Sequence, residues 1–345
     1  MPEQTCAVIL AGGEGKRMKS NHPKVLASVL FKPMLQWVMD AAEGAGVKEL
    51  CVVTGHKHEQ VEAYLQAAQK PGGANLHHVL QAEQRGTGHA VMMAEPFLRA
   101  HNGGNTLVLN GDAPFVSAEV LKTALAAHVG QGNAVTVISA ERDDPSGYGR
   151  IVRDPATGLV RAIVEQKDAD EATLAVREIN SGAYWFRTDD LLSILGCIRN
   201  DNAQGEYYLT DAVRLLIEQN KNAGAYIASD PAAVMGANDC VQLNSLNEIA
   251  RERVLHAQML AGVEIPCTDG VLIGPDVTIG RSTRILPNTI LRGNTAVGAD
   301  CSIGPSVVLT DCTVGDGASL CFASCEHTNI SSSQAVAPFT VIGTP

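Results

Sequence analysis

Residues 271–303, VLIGPDVTIGRSTRILPNTILRGNTAVGADCSI, carry an aliphatic side chain at every sixth position: Ile273, Ile279, Ile285, Leu291, Val297 and Ile303. Glycine follows the aliphatic at 274, 280, 298 and 304, and a compact residue stands four places after it at Val277, Thr283, Thr289, Thr295, Cys301 and Val307. A period of six is too short for a helical repeat. It marks a parallel β-helix, in which three hexads complete a turn. After a slip of one position Val308, Val314 and Leu320 resume the pattern, and Val336 and Ile342 fit it once more.

Immediately upstream, LNSLNEIARERVLHAQMLAGV (243–263) reads as one long charged helix able to join domains. Further back the pattern becomes that of an alternating α/β domain. Short apolar runs at 6–10, 50–54, 76–80, 105–109 and 134–138 read as strands, and 34–45, 57–69, 87–99 and 117–129 as helices. Strand and helix in alternation predict a mainly parallel sheet covered on both faces, with ligands beyond the carboxyl ends of its strands. Residues 151–186 read as paired short strands, a β-insertion, and 210–219 as a helix. The 345 residues are thus expected to divide into a domain at 1–236, a linker helix at 237–262 and a β-helix at 263–345.

Composition narrows the function classes. A formal net charge of −11 offers no basic footprint for nucleic acid or an anionic membrane surface. No apolar run of ~18 residues spans a membrane, and no basic leader precedes the first strand, so a cytoplasmic location is expected. Nine scattered cysteines read as reduced thiols. Cys321, Cys325 and His327 have a loose ligand spacing without a nearby fourth ligand, so core thiols are expected there rather than zinc. His56 and His58 sit where a strand end meets a helix start, a place for capping or surface roles.

The chemistry is concentrated in CAVILAGGEGKRMKSNHPK (6–24), where a strand runs into three glycines in four positions and then into Lys16, Arg17, Lys19 and Lys24. A plain turn needs fewer glycines; this composition suits backbone amides approaching an anion closely. The dinucleotide fingerprint fails because Met18 stands where its third glycine should be. The P-loop fails because Arg17 follows Lys16 and Leu10 occupies the first glycine position. What remains, L-A-G-G-x-G-x-R-M followed by Pro23-Lys24, resembles the activation loop of sugar-nucleotide pyrophosphorylases.

Further stretches stand in one order: QAEQRGTGHA (81–90), NGDAP (110–114), DDPSGYGRIVRD (143–154), IVEQKD (163–168), EINSGAY (178–184) and NAQGEYYLTD (202–211). With the hexapeptide tail they resemble the bacterial bifunctional N-acetylglucosamine-1-phosphate uridyltransferase/glucosamine-1-phosphate acetyltransferase family. The resemblance implies a Rossmann-like nucleotidyltransferase domain followed by a short left-handed parallel β-helix that packs as a homotrimer. It implies UTP and N-acetylglucosamine 1-phosphate as substrates and Mg²⁺ held by Asp112 and Asn238. It implies Arg17 and Lys24 as the cations that neutralise charge on the transferring phosphorus and departing pyrophosphate. Leu10, Ala11, Gly12, Gly13, Gln81, Gly86 and Thr87 would contact base and ribose, and Asn110 and Gly111 would lie beside the phosphates and sugar. Gly149, Glu165 and Asn180 would hold the sugar. The Gln81 amide, with a donor and an acceptor together, matches the N3–H and O4 edge of uracil. No catalytic base is needed, because the attacking phosphate oxygen is already ionised.

Two departures from the family pattern stand out. Asn110 replaces a tyrosine before Gly-Asp, and Lys16 stands where a small hydroxyl residue is usual. The family's acetyltransferase motifs have no counterpart among these residues, which stop at APFTVIGTP inside a hexad, so acetyl transfer is not expected of them. A pyrophosphorylase for another sugar phosphate or nucleotide, and a non-catalytic scaffold subunit, remain the alternatives.

Overall fold

The computed structural model describes residues 4–343. Contacts divide the chain into two units, one comprising the residues up to Ala27 with Pro33–Cys240, the other Ser28–Lys32 with the residues from Val241 onward.

In the first unit the strand Thr5–Leu10 lies parallel between Glu49–Thr54 and Asn105–Asn110. Ala7, Val8 and Ile9 are wholly buried because both sheet faces are covered, which is why this strand reads as a continuous apolar run rather than an alternating one. On one face Val8, Val53, Val108 and Val137 pack against Leu191, Ile194, Val213 and Leu216 of two short helices. On the other, Ile9, Val52, Leu107 and Trp185 meet Leu35, Val61 and Leu121 from the helices Met34–Gly44, His58–Ala68 and Ala118–Gly130. The last of these is capped at Ser117, where the expected helix begins, the hydroxyl accepting from the Val120 N–H at 3.2 Å.

Three local expectations change. The segment Glu178–Arg187 is not part of a separate insertion. It is a ten-residue strand running antiparallel between Asn105–Asn110 and Val135–Glu141 in the main sheet, with the hairpin Arg150–Arg153 and Val160–Val164 attached to it. Ala223–Ile227 adds a parallel edge strand beside Val135–Glu141 that small residues concealed from a reading by β-propensity. The helix expected over 87–99 breaks into Thr87–Met93 and Glu95–Ala100, since Pro96 cannot continue the ladder.

His128, near the end of its helix, is 1 % exposed, its Nδ1 3.0 Å from the Thr136 hydroxyl and its Nε2 without a hydrogen-bond partner among the described residues. Burial, helped by the charge of Arg187, pushes its pKa down to about 4. The unfolded chain, with a histidine near its ordinary value, therefore binds a proton that the fold refuses, and stability falls as pH drops below that value. This residue is expected to cost ~2 kcal/mol between pH 7 and pH 5. Urea midpoints at the two pH values, for the native chain and His128→Gln, measure it: the variant should lose that part of the slope, and equal slopes would exclude it.

In the second unit the hexads form three parallel ladders. One runs Leu272–Ile273, Ile290–Arg292, Val308–Thr310, Ser324–Glu326 and Val341–Ile342, and the other two have four strands each. Leu291 faces Leu309, both fully buried, so the inward position is 309 rather than 308. The phase slip falls after Leu309, where Val297 pairs with Val314. Two adjacent aliphatics hide this in sequence, and only the ladder register resolves them. The compact residues sit at the corners. The Thr283 hydroxyl donates to the Gly298 carbonyl at 2.8 Å and accepts from the Cys301 N–H at 3.0 Å, joining successive coils. Cys301 and Cys312 are buried at these corners as free thiols, and Cys325 is buried as a free thiol at the inward strand position facing Leu309. Leu255 of the helix Cys240–Leu260 closes the start of this core beside Val263, Ile265 and Val271. Ser28–Lys32 joins this unit through the Leu30 N–H donating to Asn247 Oδ1 at 2.8 Å and Lys32 Nζ donating to Asp276 Oδ1 at 2.6 Å. The expected domain at 1–236 had included it. No described helix is long and apolar enough to cross a membrane.

Candidate active site

At the carboxyl ends of the central strands of the first unit lies a cavity of about 400 Å³, lined by Leu10, Gly12, Gly13, Lys24, Gln81, Gly86, Thr87, Asn110 and Asp112 among others. Its position follows from the sheet. The central strand delivers the glycine loop at Leu10, its neighbour delivers Asn110 and Asp112, and the backbone of Gly111 is tied to the Leu10 carbonyl at 2.9 Å. Ala11 is fixed beside the loop by donating to the Val53 carbonyl at 2.9 Å. The amides of Gly12 to Gly15 donate to no backbone carbonyl among the described residues, which leaves them available to an anion.

At the cavity mouth Lys24 joins two elements. Its ammonium donates to Asn238 Oδ1 at 2.8 Å and forms a close ion pair with Asp112 Oδ2. Carboxylate and amide oxygens, distant in sequence, thus already converge on one cation. Two hard oxygen donors so placed fit the chemistry of Mg²⁺, which takes one or two protein oxygens and completes its shell with phosphate and water. Among the described residues no group of three or more His, Cys, Asp or Glu could hold a metal.

Gln81 is buried, and its Nε2 points to the Gly86 carbonyl at 3.1 Å and to His89 Nδ1 at 3.0 Å. Its donor half is therefore engaged within the protein. The expected two-sided reading of a base narrows to the acceptor Oε1, which lies against Gly12. Thr87 and Gly88 grip the segment around Tyr207, against which Gly86 packs closely: the Gly88 N–H donates to the Tyr207 carbonyl at 2.7 Å and the Leu209 N–H to Thr87 Oγ1 at 3.1 Å.

A second cluster gathers around the strand Glu178–Arg187. The Asn180 N–H donates to the Gly149 carbonyl at 2.9 Å, and the Glu165 carboxylate lies beside Gly149. Burial pushes the Glu165 carboxyl above its usual range, while the Thr210 hydroxyl, donating to Oε1 at 3.2 Å, pulls it back. The strand shifts register between Asn180 and Ala183, and Gly182 takes φ +77° there. A Cβ at Gly182 would run into the Asn110 amide, so the substituted Asn110 packs directly on the bulge that carries Asn180.

Arg17 is not brought to the cavity lining: it is exposed on the turn Lys16–Met18, and the neighbouring Lys16 pairs with Glu14 at 3.0 Å. The sequence reading missed Glu14, Gly15, Val25, Gln84, Ala90 and Glu206, which also line the cavity. Glu206 belongs to the motif NAQGEYYLTD, whose place in the motif order was the available signal. Gln84 likewise lies within the motif QAEQRGTGHA, whereas Val25 adjoins Lys24 but carries no signature of its own.

The fold and this arrangement define a nucleotidyltransferase with a hexapeptide-repeat extension. A family model described as nucleotidyl transferase matches residues 6–251, and one described as bacterial transferase hexapeptide (six repeats) matches 276–311. The chain is 43% identical over 340 residues to the bifunctional protein GlmU of Caldanaerobacter subterraneus subsp. tengcongensis, spanning 99% of this chain and 72% of that protein. The protein of the same name from Streptomyces avermitilis is 42% identical over 97% of this chain and 69% of its own length. A solved structure from Bacillus anthracis, assigned as a glucose-1-phosphate thymidylyltransferase and determined with sucrose, shares the fold with a TM-score of 0.60 at 19% identity, over 72% of this chain and 96% of that one. The chain belongs to the GlmU family, and the enzyme is a UDP-N-acetylglucosamine pyrophosphorylase.

Proposed function

We propose that the enzyme transfers the uridylyl group of UTP to N-acetylglucosamine 1-phosphate, releasing pyrophosphate, with Mg²⁺ as cofactor. An oxygen of the sugar phosphate forms a bond to the α-phosphorus as the bond from that phosphorus to its bridging oxygen breaks. Pyrophosphate leaves with the electron pair, in line with the attack. The observation that carries this reading is the convergence of Lys24, Asp112 and Asn238 at the mouth of a cavity walled by a glycine loop.

Each residue acts by position or charge. The loop amides and Lys24 meet the phosphates, and Arg17 meets the departing pyrophosphate from the solvent side. Gln81 Oε1 accepts from the uracil N3–H; cytosine offers a lone pair at that position and leaves the amide unpaired. Ala11 to Gly13 contribute backbone contacts to the base, and Gly86 and Thr87 contacts to the ribose. Gly149, Glu165 and Asn180 receive the sugar. Asp112 and Asn238 would hold Mg²⁺, which supplies neutralisation of phosphate charge when bound. Assembly as a homotrimer through the β-helix belongs to this reading, and light scattering on the purified protein measures it. Acetyl transfer is not assigned to these 345 residues; release of coenzyme A from acetyl-CoA in the presence of glucosamine 1-phosphate measures that directly.

The deciding experiment is pyrophosphate release with Mg²⁺ for UTP, dTTP, CTP and ATP against a panel of sugar 1-phosphates. Release confined to UTP with N-acetylglucosamine 1-phosphate is expected. Release with a different pair would retain the chemistry and move specificity to Asn110, and no release from folded protein would overturn the reading.

A further inference from the structure

Asn180 is oriented by two partners of opposite character. The Gly182 N–H, which can only donate, faces Oδ1 at 3.0 Å, so Nδ2 must be the atom 2.6 Å from the Tyr184 hydroxyl oxygen. Tyr184 is itself 2 % exposed, its ring set in the sheet core beside Phe186 with centroids 5.6 Å apart. Ser139 and Val137 pair with Asn180 and Tyr184 across the neighbouring strand, and the register shift at Ser181 and Gly182 lies between the two residues. A rigid, buried phenol therefore stands behind a half-buried amide at the end of the bulge.

We propose that Tyr184 is a positioning residue for the sugar acceptor: it fixes the Asn180 amide so that one N–H and one Oδ1 lone pair remain directed at the substrate. Such a pair is complementary to an acetamido group, whose carbonyl accepts and whose N–H donates, and a hydroxyl in its place satisfies it less well. The phenol stays protonated, since burial and the charge of Glu165 both push its pKa up, and so it remains a stable acceptor for Nδ2 across the working pH range. Nothing in the reaction requires Tyr184 to touch the substrate. The proposal rests on Asn180 being a sugar contact, and the test separates the two.

Tyr184→Phe keeps the ring and removes only the hydroxyl that accepts from Asn180 Nδ2. In steady-state pyrophosphate release it is expected to raise KM for N-acetylglucosamine 1-phosphate by ~10-fold, with KM for UTP and for any residual glucose 1-phosphate activity within ~2-fold of the native values. Because the effect passes through Asn180, the double variant Asn180→Ala/Tyr184→Phe should be no worse than Asn180→Ala alone. A general loss of order would raise both KM values together or lower the melting temperature without the split, and either result overturns the proposal. An effect of Asn180→Ala with none from Tyr184→Phe removes Tyr184 alone. No effect of Asn180→Ala on sugar KM removes the assignment of Asn180 and this proposal with it.

Discussion

Asp112→Ala is expected to lower kcat for pyrophosphate release by ~10³-fold or more, with the melting temperature shifted by no more than a few degrees. The reason is local. Asp112 lies just past the carboxyl end of the central strand Asn105–Asn110, where its carboxylate supplies the negative charge of the Lys24–Asp112–Asn238 cluster. Removing it deletes one of two hard oxygen donors and frees the Lys24 ammonium from its charged partner, so both the cation and the lysine lose their placement relative to the phosphates. Stability changes little because the pair is partly solvated and Lys24 still donates to Asn238. Asp112→Asn separates charge from shape: it should keep the native melting temperature but not recover the rate. Loss of Mn²⁺ binding by Asp112→Ala, followed by paramagnetic resonance, supplies a readout independent of turnover. Native kcat in the alanine variant would remove Asp112 from the site.

Gly86→Ala is expected to be strongly damaging, because it combines a forbidden backbone conformation with a main-chain clash. Gly86 takes φ +104° and ψ 174°, a region essentially closed to residues with a Cβ and costing ~1–3 kcal/mol when forced. The added carbon would also lie 2.6 Å from the Tyr207 carbonyl oxygen and 2.9 Å from its nitrogen, both main-chain atoms that cannot rotate away. The segment around Tyr207 must then separate from residues 85–88, breaking the bonds from Gly88 and to Arg85 that form this wall of the cavity. With strain and lost hydrogen bonds combined, a fall of ~10 °C in melting temperature is expected. Gln81, whose amide donates to the Gly86 carbonyl, loses its orientation as well, so KM for UTP should rise by at least ~10-fold. A variant with native stability and native KM would show that this wall is pliant.

These two residues also show how unevenly the site can be read. Asp112 announces itself, an acid after glycine at the end of an apolar strand in a chain whose loops suit a phosphate ligand. Gly86 is recognisable only through the motif that contains it, because its constraint comes from Tyr207, more than a hundred residues away. That Gln81 belongs to the site was legible, since it lines the cavity. That its donor half is already bound to Gly86 and His89 was not, since side-chain hydrogen bonds depend on which loops meet. Arg17, prominent in the motif, lies exposed on its turn, because local sequence specifies that a cation is near the loop and not where its long side chain rests.

The fold divides along the same line. Alternating strands and helices, the Ser117 cap and the six-residue period are properties of short windows, governed by backbone sterics and by which face must be buried, and the amino-acid sequence by itself determined them. Tertiary structure alone decided that Glu178–Arg187 enters the main sheet, that Leu309 rather than Val308 points inward, and that Ser28–Lys32 belongs with the second unit. It likewise decided that Lys24 meets Asp112 and Asn238, and that Tyr184 stands behind Asn180. In each of these the local alternatives are nearly equal in energy, and the choice is made by pairing partners and packing contacts that exist only once distant segments of the chain are brought together.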